Sequence, residues 1–391
     1  MNITVLMNAG PWLPVPPPGY GGIENIVATL VPELRARGVR VVLASVGAST
    51  LAADDHVQVF EEGRFADLQR PYNQVMGLAH AHMQRVVAEL RDRDDIDLVH
   101  DHVEAVGLGV LAAMCRSAPP VLHTLHWDLR KHPELYGEFD GHGRVWVNGV
   151  SRSQIARAPG RLRAHSLGWA YLATPLADRC RARQDDGRCR QRNGPVVMLG
   201  RICALKGQDV GVRLCRELGV PLVLAGPVGG LSGPRELAAA LADPGHRAHA
   251  NPDVRYFRER VEPYVDGDLI RWIGSVEGPD RDRLLLEAPA ALFPVQWEEP
   301  GGTAVIEALA CGAPVVGLRR GCLPELVDDG VTGLLADRED DLRELLKRVD
   351  EIDPGACRAS CAARFSPAVM ADRYLEFYRE ALERTDQGRR A

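Results

Sequence analysis

The chain has 391 residues, a length typical of two domains, with 26% charged and 46% hydrophobic side chains. This composition excludes a largely disordered, collagen-like or coiled-coil protein. The formal net charge is −6, and no apolar run approaches the ~18 residues of a membrane-spanning helix. We therefore expect a cytoplasmic protein that does not bind nucleic acid, with a first strand rather than a signal peptide at its N-terminus.

Short apolar runs alternate with helical segments in the first half of the chain. Strands are predicted at 3–6, 39–45, 96–100, 120–126 and 145–150, and helices at 23–37 and 73–93. Near-continuous apolar strands that alternate with helices predict a parallel sheet covered on both faces.

A second alternating series begins after a proline- and arginine-containing stretch. Its predicted strands are 196–200, 221–225, 270–273, 290–294 and 315–317, and its predicted helices 209–218, 254–264, 280–287 and 303–311. We predict an α/β fold of two Rossmann-like doubly wound domains facing a cleft. The predicted boundaries are 1–172 for the first domain, 173–194 for a linker, 195–365 for the second domain, and 366–391 for a C-terminal helix that packs back on the first domain and ends in a frayed tail.

The segment 297–314 has the clearest chemical pattern. After a predicted strand come Glu299 and Gly301, and Thr303 then begins a helix. A helix start with free N–H groups suits a phosphate, and Glu307, one turn further on, can accept hydrogen bonds from a diol. The pattern indicates a site for a phosphorylated sugar or ribose; a capped amphipathic helix with two solvent-facing glutamates would have the same spacing.

Two cations, Arg201 and Lys206, follow the predicted strand 196–200. Fixed cations at a strand end suit a diphosphate and can neutralise charge on a leaving group. Only three of the 47 basic residues are lysines, at positions 131, 206 and 347. This rarity favours a specific role for Lys206 over ordinary surface charge.

Glycines and histidines lie at the strand ends of the first domain. Gly21 and Gly22 precede the first helix, a position that suits a phosphate, although many such loops only turn the chain. His102 and His126 follow two predicted strands, close to His100 and His123. Strand ends favour function over core packing for these histidines, and no further ligand spacing completes a metal site, so we predict no metal.

Together these segments resemble glycosyltransferase family 4, whose members are retaining two-domain enzymes of the GT-B fold that use sugar nucleotides. The resemblance covers most of the chain. It is carried by the glycines at 21–22, the histidine segments at 99–102 and 123–126, Gly200-Arg201 with Lys206-Gly207, the segment 224–227, the spacing of Glu299 and Glu307, and the segments 320–326 and 329–333. The segments 17–23 and 299–303 look most like those of actinobacterial members.

The resemblance implies a role for each matching residue. Arg201 and Lys206 would hold the donor diphosphate, Glu307 the ribose and Glu299 the transferred sugar. His126 would lie over that sugar and complete the implied catalytic set of His126, Arg201, Lys206 and Glu299. Further donor contacts are implied for Gly22, Gly226, Val276, Gly301, Gly302 and Thr303, with Val276 near the base, and His102 and Glu24 are assigned to the acceptor side.

We therefore predict an enzyme that moves a sugar from a UDP-, GDP- or dTDP-linked donor to a hydroxyl of a small-molecule or glycan acceptor with retention, using no cofactor. The departing phosphate would take the acceptor proton. Two alternatives stay open: a sugar-nucleotide epimerase of the same fold, and a non-catalytic nucleotide-sugar-binding subunit. Ten arginines against three aspartates in 151–192 predict at most weak, salt-sensitive contact with an anionic membrane surface.

Two departures from the family pattern matter. Many members have Asn-Gly-Ile-Asp before the linker, whereas the segment 170–178 here has no such sequence. Many also have phenylalanine where Gly301 stands, so a wider pocket is expected beside the transferred sugar.

Overall fold

The computed structural model describes residues 3–19, 21–114, 117–181 and 192–390. The chain divides into two compact units, Met1–Ala173 with Pro367–Ala391, and Thr174–Ser366. Each unit is built on one parallel sheet with helices, which confirms the predicted class of two doubly wound α/β domains. Of the predicted linker 173–194, residues 182–191 lie outside the described residues, and 174–181 group with the second unit.

The sheet of the first unit has seven strands in the order β3-β2-β1-β4-β5-β6-β7. They are β1 Thr4–Asn8, β2 Arg40–Ala44, β3 Asp55–Val57, β4 Leu98–Asp101, β5 Val121–Leu125, β6 Val145–Gly149 and β7 Ser166–Trp169. The edge strands β3 and β7 were not predicted, because polar residues and glycine interrupt them and neither forms an apolar run. The strand order reverses between β1 and β4, so their carboxyl ends border a crevice of the kind that binds ligands.

Helices on both faces bury the apolar strands of this sheet. They are α1 Gly22–Ala36, α2 Tyr72–Asp92, α3 Glu104–Ala113, α4 Pro133–Gly137, α5 Arg152–Ala156 and α6 Gly160–Ala164. The core between them contains Leu6, Val99, Val121 and Val147, all completely buried.

The sheet of the second unit has six strands in the order β10-β9-β8-β11-β12-β13. They are β8 Val196–Leu199, β9 Leu222–Ala225, β10 Ile270–Gly274, β11 Ala291–Phe293, β12 Val315–Leu318 and β13 Gly333–Ala336. The central strand β8 pairs with β9 from Val196 opposite Leu222 onward, and its Val197 lies opposite Ala291 of β11. The strand order reverses between β8 and β11, so the loops after these two strands border the ligand-binding crevice expected of an open parallel sheet.

Nine helices are described in the second unit. They are α7 Leu176–Arg181, α8 Gln208–Leu218, α9 Pro234–Ala242, α10 Pro252–Tyr256, α11 Gly278–Glu287, α12 Thr303–Ala310, α13 Leu323–Leu326, α14 Leu342–Lys347 and α15 Pro354–Arg364. The predicted helix 254–264 is α10 continued by a wider π turn at Phe257–Val261. Neither α9 nor α15 was predicted.

The last helix, α16 Pro367–Arg390, belongs to the first unit. Its Tyr378 hydroxyl lies 2.8 Å from His100 Nδ1, and its Thr385 accepts a hydrogen bond from Trp146 Nε1 at 3.1 Å. These contacts fix the helix on the sheet. Across the described ranges, no helix is both long and apolar enough to span a membrane.

Candidate functional site

The loops after β8 and β11 meet at the strand reversal of the second unit. The Gln296 amide donates a hydrogen bond to the Leu205 carbonyl at 2.8 Å, which fixes the two loops together. From these loops Lys206 and Glu299 face each other, with 2.5 Å between Nζ and Oε2. The structure thus brings together two of the predicted site residues as an ion pair at the crevice.

The backbone of Glu299 is fixed by the loop after β12. Cys322 N–H donates to the Glu299 carbonyl at 2.8 Å, and Gly321 N–H donates to Glu298 Oε2 at 2.6 Å. Gly321 has φ +60°, and a Cβ there would lie 2.2 Å from both the nitrogen and the carbonyl oxygen of Glu299. Only glycine therefore allows this close approach of the two loops.

The ion pair is shielded from water. The side chain of Glu299 is 11% exposed and that of Lys206 is 29% exposed, and Trp297 Nε1 donates a second hydrogen bond to Glu299 Oε2 at 3.0 Å. Burial by itself lowers the pKa of Lys206, but attraction to Glu299 and the hydrogen bond to it outweigh burial and raise that pKa above its ordinary value. Lys206 is therefore held as a cation.

Helix α12 begins at this crevice. Its N-cap residue Gly302 has φ +60°, and a Cβ there would lie 2.7 Å from Leu326 Cδ1. Gly301 is buried, whereas Thr303 at the first helical position is exposed. The first amides of a helix have no intrahelical acceptor and carry partial positive charge. The helix start can therefore bind an anionic or electron-rich group beside Lys206.

Glu307, one turn into α12, is paired with a residue of α11. Arg281 Nη1 lies 2.7 Å from Glu307 Oε1, and both side chains are mostly buried. Burial raises the pKa of Glu307, and the charge of Arg281 opposes this rise only in part. Because a carboxylate accepts through both oxygens, Oε2 of Glu307 can accept hydroxyl hydrogen bonds while Arg281 holds Oε1.

Arg201, Gly226 and Val276 lie at the ends of β8, β9 and β10, on the same edge of the sheet. The Arg201 side chain is 49% exposed, with Nη1 3.6 Å from Asp253 Oδ2. Gly226 uses both backbone groups within the fold, as its N–H donates to the Gly274 carbonyl at 2.7 Å and its carbonyl accepts from Trp272 Nε1 at 2.9 Å. The backbone of Gly226 therefore shapes this edge.

In the first unit, His126 contacts His102. His126 Nε2 and His102 Nδ1 are 2.8 Å apart, and the two rings stack. The backbone N–H of His126 donates to Glu104 Oε1 at 3.1 Å. Burial, followed by repulsion from His123, lowers the pKa of His126 to about 3, so this histidine is neutral at neutral pH. A neutral His126 can exchange hydrogen bonds with a sugar hydroxyl.

Three of the four histidines at these strand ends are buried, against the expectation that function rather than core packing explains them. His100 and His123 are completely buried, and His102 is 1% exposed. The reason is tertiary: helix α16 covers His100, whereas Asp101 holds His123 Nδ1 at 2.6 Å. Core packing therefore accounts for His100 and His123, and His102 is buried and contacts His126.

Gly22 and Glu24 lie in the first turn of α1. A Cβ at Gly22 would meet nothing within 4 Å, so space is open beside the helix start. Glu24 is buried, and burial raises its pKa to about 7. Within the described ranges, no group of three or more His, Cys, Asp or Glu residues could hold a metal ion.

Sequence reasoning missed two residues of this site, Arg281 and Trp297. Trp297 lies two positions before Glu299, so its place in the motif was a usable signal. Arg281 lies in the charged run 280–283, which is typical of a solvated helix start. Nothing in that local pattern indicates its partner on α12.

Two family models match this chain, one in each half. The model "Glycosyltransferase Family 4" matches residues 20–170, and the model "Glycosyl transferases group 1" matches residues 190–354. The first match covers most of the first unit and the second covers the sheet that carries Lys206, Glu299 and Glu307.

Curated relatives include D-inositol 3-phosphate glycosyltransferases of actinobacteria. The Saccharomonospora viridis protein is 35% identical over 50% of this chain and 42% of its own length. The Mycobacterium marinum protein is 30% identical over 75% of this chain and 66% of its own length. The matched region thus spans less than two thirds of either relative.

Solved structures match over nearly the whole chain. AviGT4, a glycosyltransferase involved in avilamycin A biosynthesis, superimposes with a TM-score of 0.64 at 25% identity over 97% of this chain and 98% of its own. The Anabaena protein HepE in complex with UDP-glucose matches with a TM-score of 0.62 at 17% identity, over 97% of this chain and 100% of its own.

The fold and the paired family models define a GT-B protein with two parallel-sheet domains. The predicted resemblance to glycosyltransferase family 4 is confirmed by the match of that family's model to residues 20–170, and the curated relatives are actinobacterial.

Proposed function

We propose that the protein is a retaining glycosyltransferase that moves a sugar from a nucleoside-diphosphate sugar to a hydroxyl group of a small-molecule or glycan acceptor. The observation that carries this proposal is the shielded Lys206–Glu299 pair at the strand reversal of the second unit. It sets a fixed cation and a carboxylate side by side next to the start of α12. The cation suits a donor diphosphate, and the carboxylate suits the hydroxyl groups of a sugar.

The roles of the site residues follow from their chemistry. Lys206, which is held charged, and the half-exposed Arg201 neutralise the diphosphate as the bond to the sugar breaks. The amides at Gly302 and Thr303 add partial positive charge at the same place. The acceptor hydroxyl attacks on the face that the nucleotide leaves, and its proton passes to the departing phosphate. No protein nucleophile is required, so retention is consistent with this set of residues.

Glu299 and Glu307 serve different parts of the donor in this proposal. Glu299 accepts hydrogen bonds from the transferred sugar, while Glu307 accepts them from the ribose through the oxygen that Arg281 leaves available. Val276, half-buried after β10, contacts the base. The neutral His126 is assigned to the transferred sugar, and Gly22, beside which space is open, to the donor.

We also propose that the transfer needs no cofactor and no divalent cation, because Lys206 and Arg201 supply the charge that a bound metal ion would otherwise supply. Turnover should then persist in excess EDTA. Loss of turnover in EDTA that Mg²⁺ or Mn²⁺ restores would overturn this part of the proposal.

A panel of UDP-, GDP- and dTDP-linked sugars tests the donor. A true donor should raise the melting temperature, because it binds only the folded state. Release of nucleoside diphosphate should then be measured with and without candidate acceptors, together with the configuration of the product. Conversion of the donor to its epimer would instead establish the epimerase alternative, and binding without hydrolysis or transfer would establish the non-catalytic subunit.

Variants at the phosphate site supply the second test. Lys206→Ala and Arg201→Ala should each cost about 2–4 kcal/mol of transition-state stabilisation, comparable to the loss of one fixed donor at a developing charge. Near wild-type turnover in both variants would remove the phosphate assignment.

Contact with anionic membranes should be weak. Part of the arginine-rich stretch 151–192 lies outside the described residues, and Arg161 and Arg179 are within ion-pair distance of Glu138 and Asp282. Cosedimentation with anionic vesicles should therefore be slight at low salt and absent at moderate salt. Tight binding at moderate salt would make a lipid-linked acceptor the leading hypothesis.

A further inference from the structure

Exposed apolar side chains are concentrated in one segment of the first unit. Among the described residues nine large hydrophobic side chains are exposed, and five of these lie between residues 59 and 76. Tyr72 is 78% exposed, and the other four are between 37% and 41% exposed. We name this cluster the apolar patch; it consists of Val59, Phe65, Leu68, Tyr72 and Met76.

The apolar patch lies on the carboxyl edge of the sheet. Val59 follows the end of β3, and Tyr72 is the first residue of α2, which returns the chain to the start of β4. In a parallel sheet the strand ends and the starts of the following helices lie on one edge, and that edge is where ligands bind. The patch therefore lies on the carboxyl edge of the first sheet, at its β3 end.

Backbone contacts hold this segment against the loops after β1 and β2. Arg64 N–H donates to the Pro11 carbonyl at 3.0 Å, and Gly47 N–H donates to the Phe60 carbonyl at 2.9 Å. The loop containing Pro11 continues to Gly22 at the start of α1. The patch is thus continuous with the loop that ends at Gly22, a residue assigned to donor binding.

The segment that carries the patch has one more carboxylate than it has arginines. Residues 59–76 contain three carboxylates and two arginines. Asp67 pairs with both arginines, at 2.6 Å from Arg64 Nε and 2.8 Å from Arg70 Nε. A phosphorylated acceptor or an anionic bilayer would require a surplus of basic residues, and this segment does not supply one.

We propose that the apolar patch binds an uncharged apolar part of the acceptor, an aromatic or aliphatic group attached to the hydroxyl-bearing portion. This inference rests on the proposed function, since it names the class of acceptor for the same enzyme. Contact with apolar groups removes hydrophobic surface of both partners from water, which favours such an acceptor over a free sugar or a phosphorylated polyol.

Butyl and octyl β-D-glucopyranoside, used below micelle-forming concentrations, are suitable probes because they differ only in the apolar part. The four additional methylenes should lower Kd about tenfold, well short of the gain for complete burial because the patch is open on one side. Saturation-transfer NMR should show the alkyl protons, more than the sugar protons, receiving magnetisation from the protein.

The chain-length effect is the ratio of the Kd for butyl glucoside to the Kd for octyl glucoside. The double variant Phe65→Ser/Leu68→Ser should reduce this ratio to about twofold or less, since much of the apolar contact is removed. The matched control is Val331→Ser/Val369→Ser, which removes two exposed apolar side chains elsewhere and should retain the full effect. Melting temperatures of both double variants are compared with wild type, so that loss of apolar contact with the probe is distinguished from loss of folding. Equal chain-length effects in the two double variants would overturn the proposal.

A separate readout links the patch to the acceptor. With the sugar nucleotide identified by the donor panel, octyl glucoside should either be glycosylated or suppress donor hydrolysis at concentrations near its Kd, and the patch variant should require more of it. Unchanged hydrolysis at saturating probe would overturn the proposal. The proposal would also be overturned if the wild type formed a dimer and the patch variant did not. The same holds if the wild type, but not the variant, bound to neutral phosphatidylcholine vesicles. Failure of every sugar nucleotide to bind would instead overturn the proposed function, while the chain-length effect would still test the patch.

Discussion

Replacing Lys206 by methionine breaks the ion pair at the centre of the proposed site. Methionine retains the length of the side chain but removes the charge, and Glu299 then keeps Trp297 as its side-chain donor. Loss of one partner of a fully buried pair costs 3–5 kcal/mol in general; because Lys206 is 29% exposed, we expect the lower end, about 3 kcal/mol of the free energy of unfolding.

The reciprocal change, Glu299→Gln, should cost less. Glutamine still accepts the hydrogen bond from Trp297, and water can reach the exposed part of Lys206, so about 1–2 kcal/mol is expected. In the double variant the first substitution has already broken the ion pair, so the second costs less than it does alone. The two single losses should therefore exceed the loss in the double variant by about 1–2 kcal/mol.

Urea denaturation of the four proteins without ligand measures this cycle. Lys347→Met is the matched control, because Lys347 also pairs with a glutamate, Glu344 at 2.8 Å, but both side chains are more than half exposed. It should leave the free energy of unfolding unchanged within error. If Lys206→Met is no more destabilising than Lys347→Met, or if the two site substitutions are additive, the pair is not the buried structural element described above.

Three further predictions concern the other site residues. In calorimetric titrations, Glu307→Ala should weaken sugar nucleotide and free nucleoside diphosphate equally, whereas Glu299→Ala should weaken the sugar nucleotide more; equal losses in the Glu299 variant would contradict a sugar contact. His126→Ala should lower turnover far more than donor affinity, because its contact matters most as the sugar gains positive charge; retained turnover with a lower melting temperature would indicate a structural histidine. Burial raises the pKa of Glu104 from 4.5 to about 7. The folded protein therefore holds this proton more tightly than the unfolded chain does. As the pH rises from 4.5 to 7, this group lowers the free energy of unfolding by about 3 kcal/mol. Glu104→Gln should remove that loss, so the stability of the variant relative to wild type should be higher at pH 8 than at pH 5. Urea denaturation at the two pH values measures this difference. A difference that stays constant would show that the pKa of the carboxyl is not perturbed.

The sequence alone determined the class of fold and the segments that form the site. Apolar runs of strand length that alternate with amphipathic helices are local patterns, and they located β1, β4, β5, β8 and β11 to within a few residues. Parallel strands place their carboxyl ends on one edge, so residues that follow strands could be assigned to a common surface before any contact was known. The motif containing Glu299 and Glu307 was found in this way.

Tertiary structure alone decided which of these residues contact one another and which are covered. Lys206 and Glu299 are 93 positions apart, and Arg281 and Glu307 are 26 apart; no periodic pattern extends over such separations. His100 and His126 both lie at strand ends, yet Tyr378 from the far end of the chain covers only the first. The exposure of Tyr72 likewise depends on what packs beside it. Burial and pairing are properties of the packed chain, because they depend on which distant segments are brought together by the sheet order.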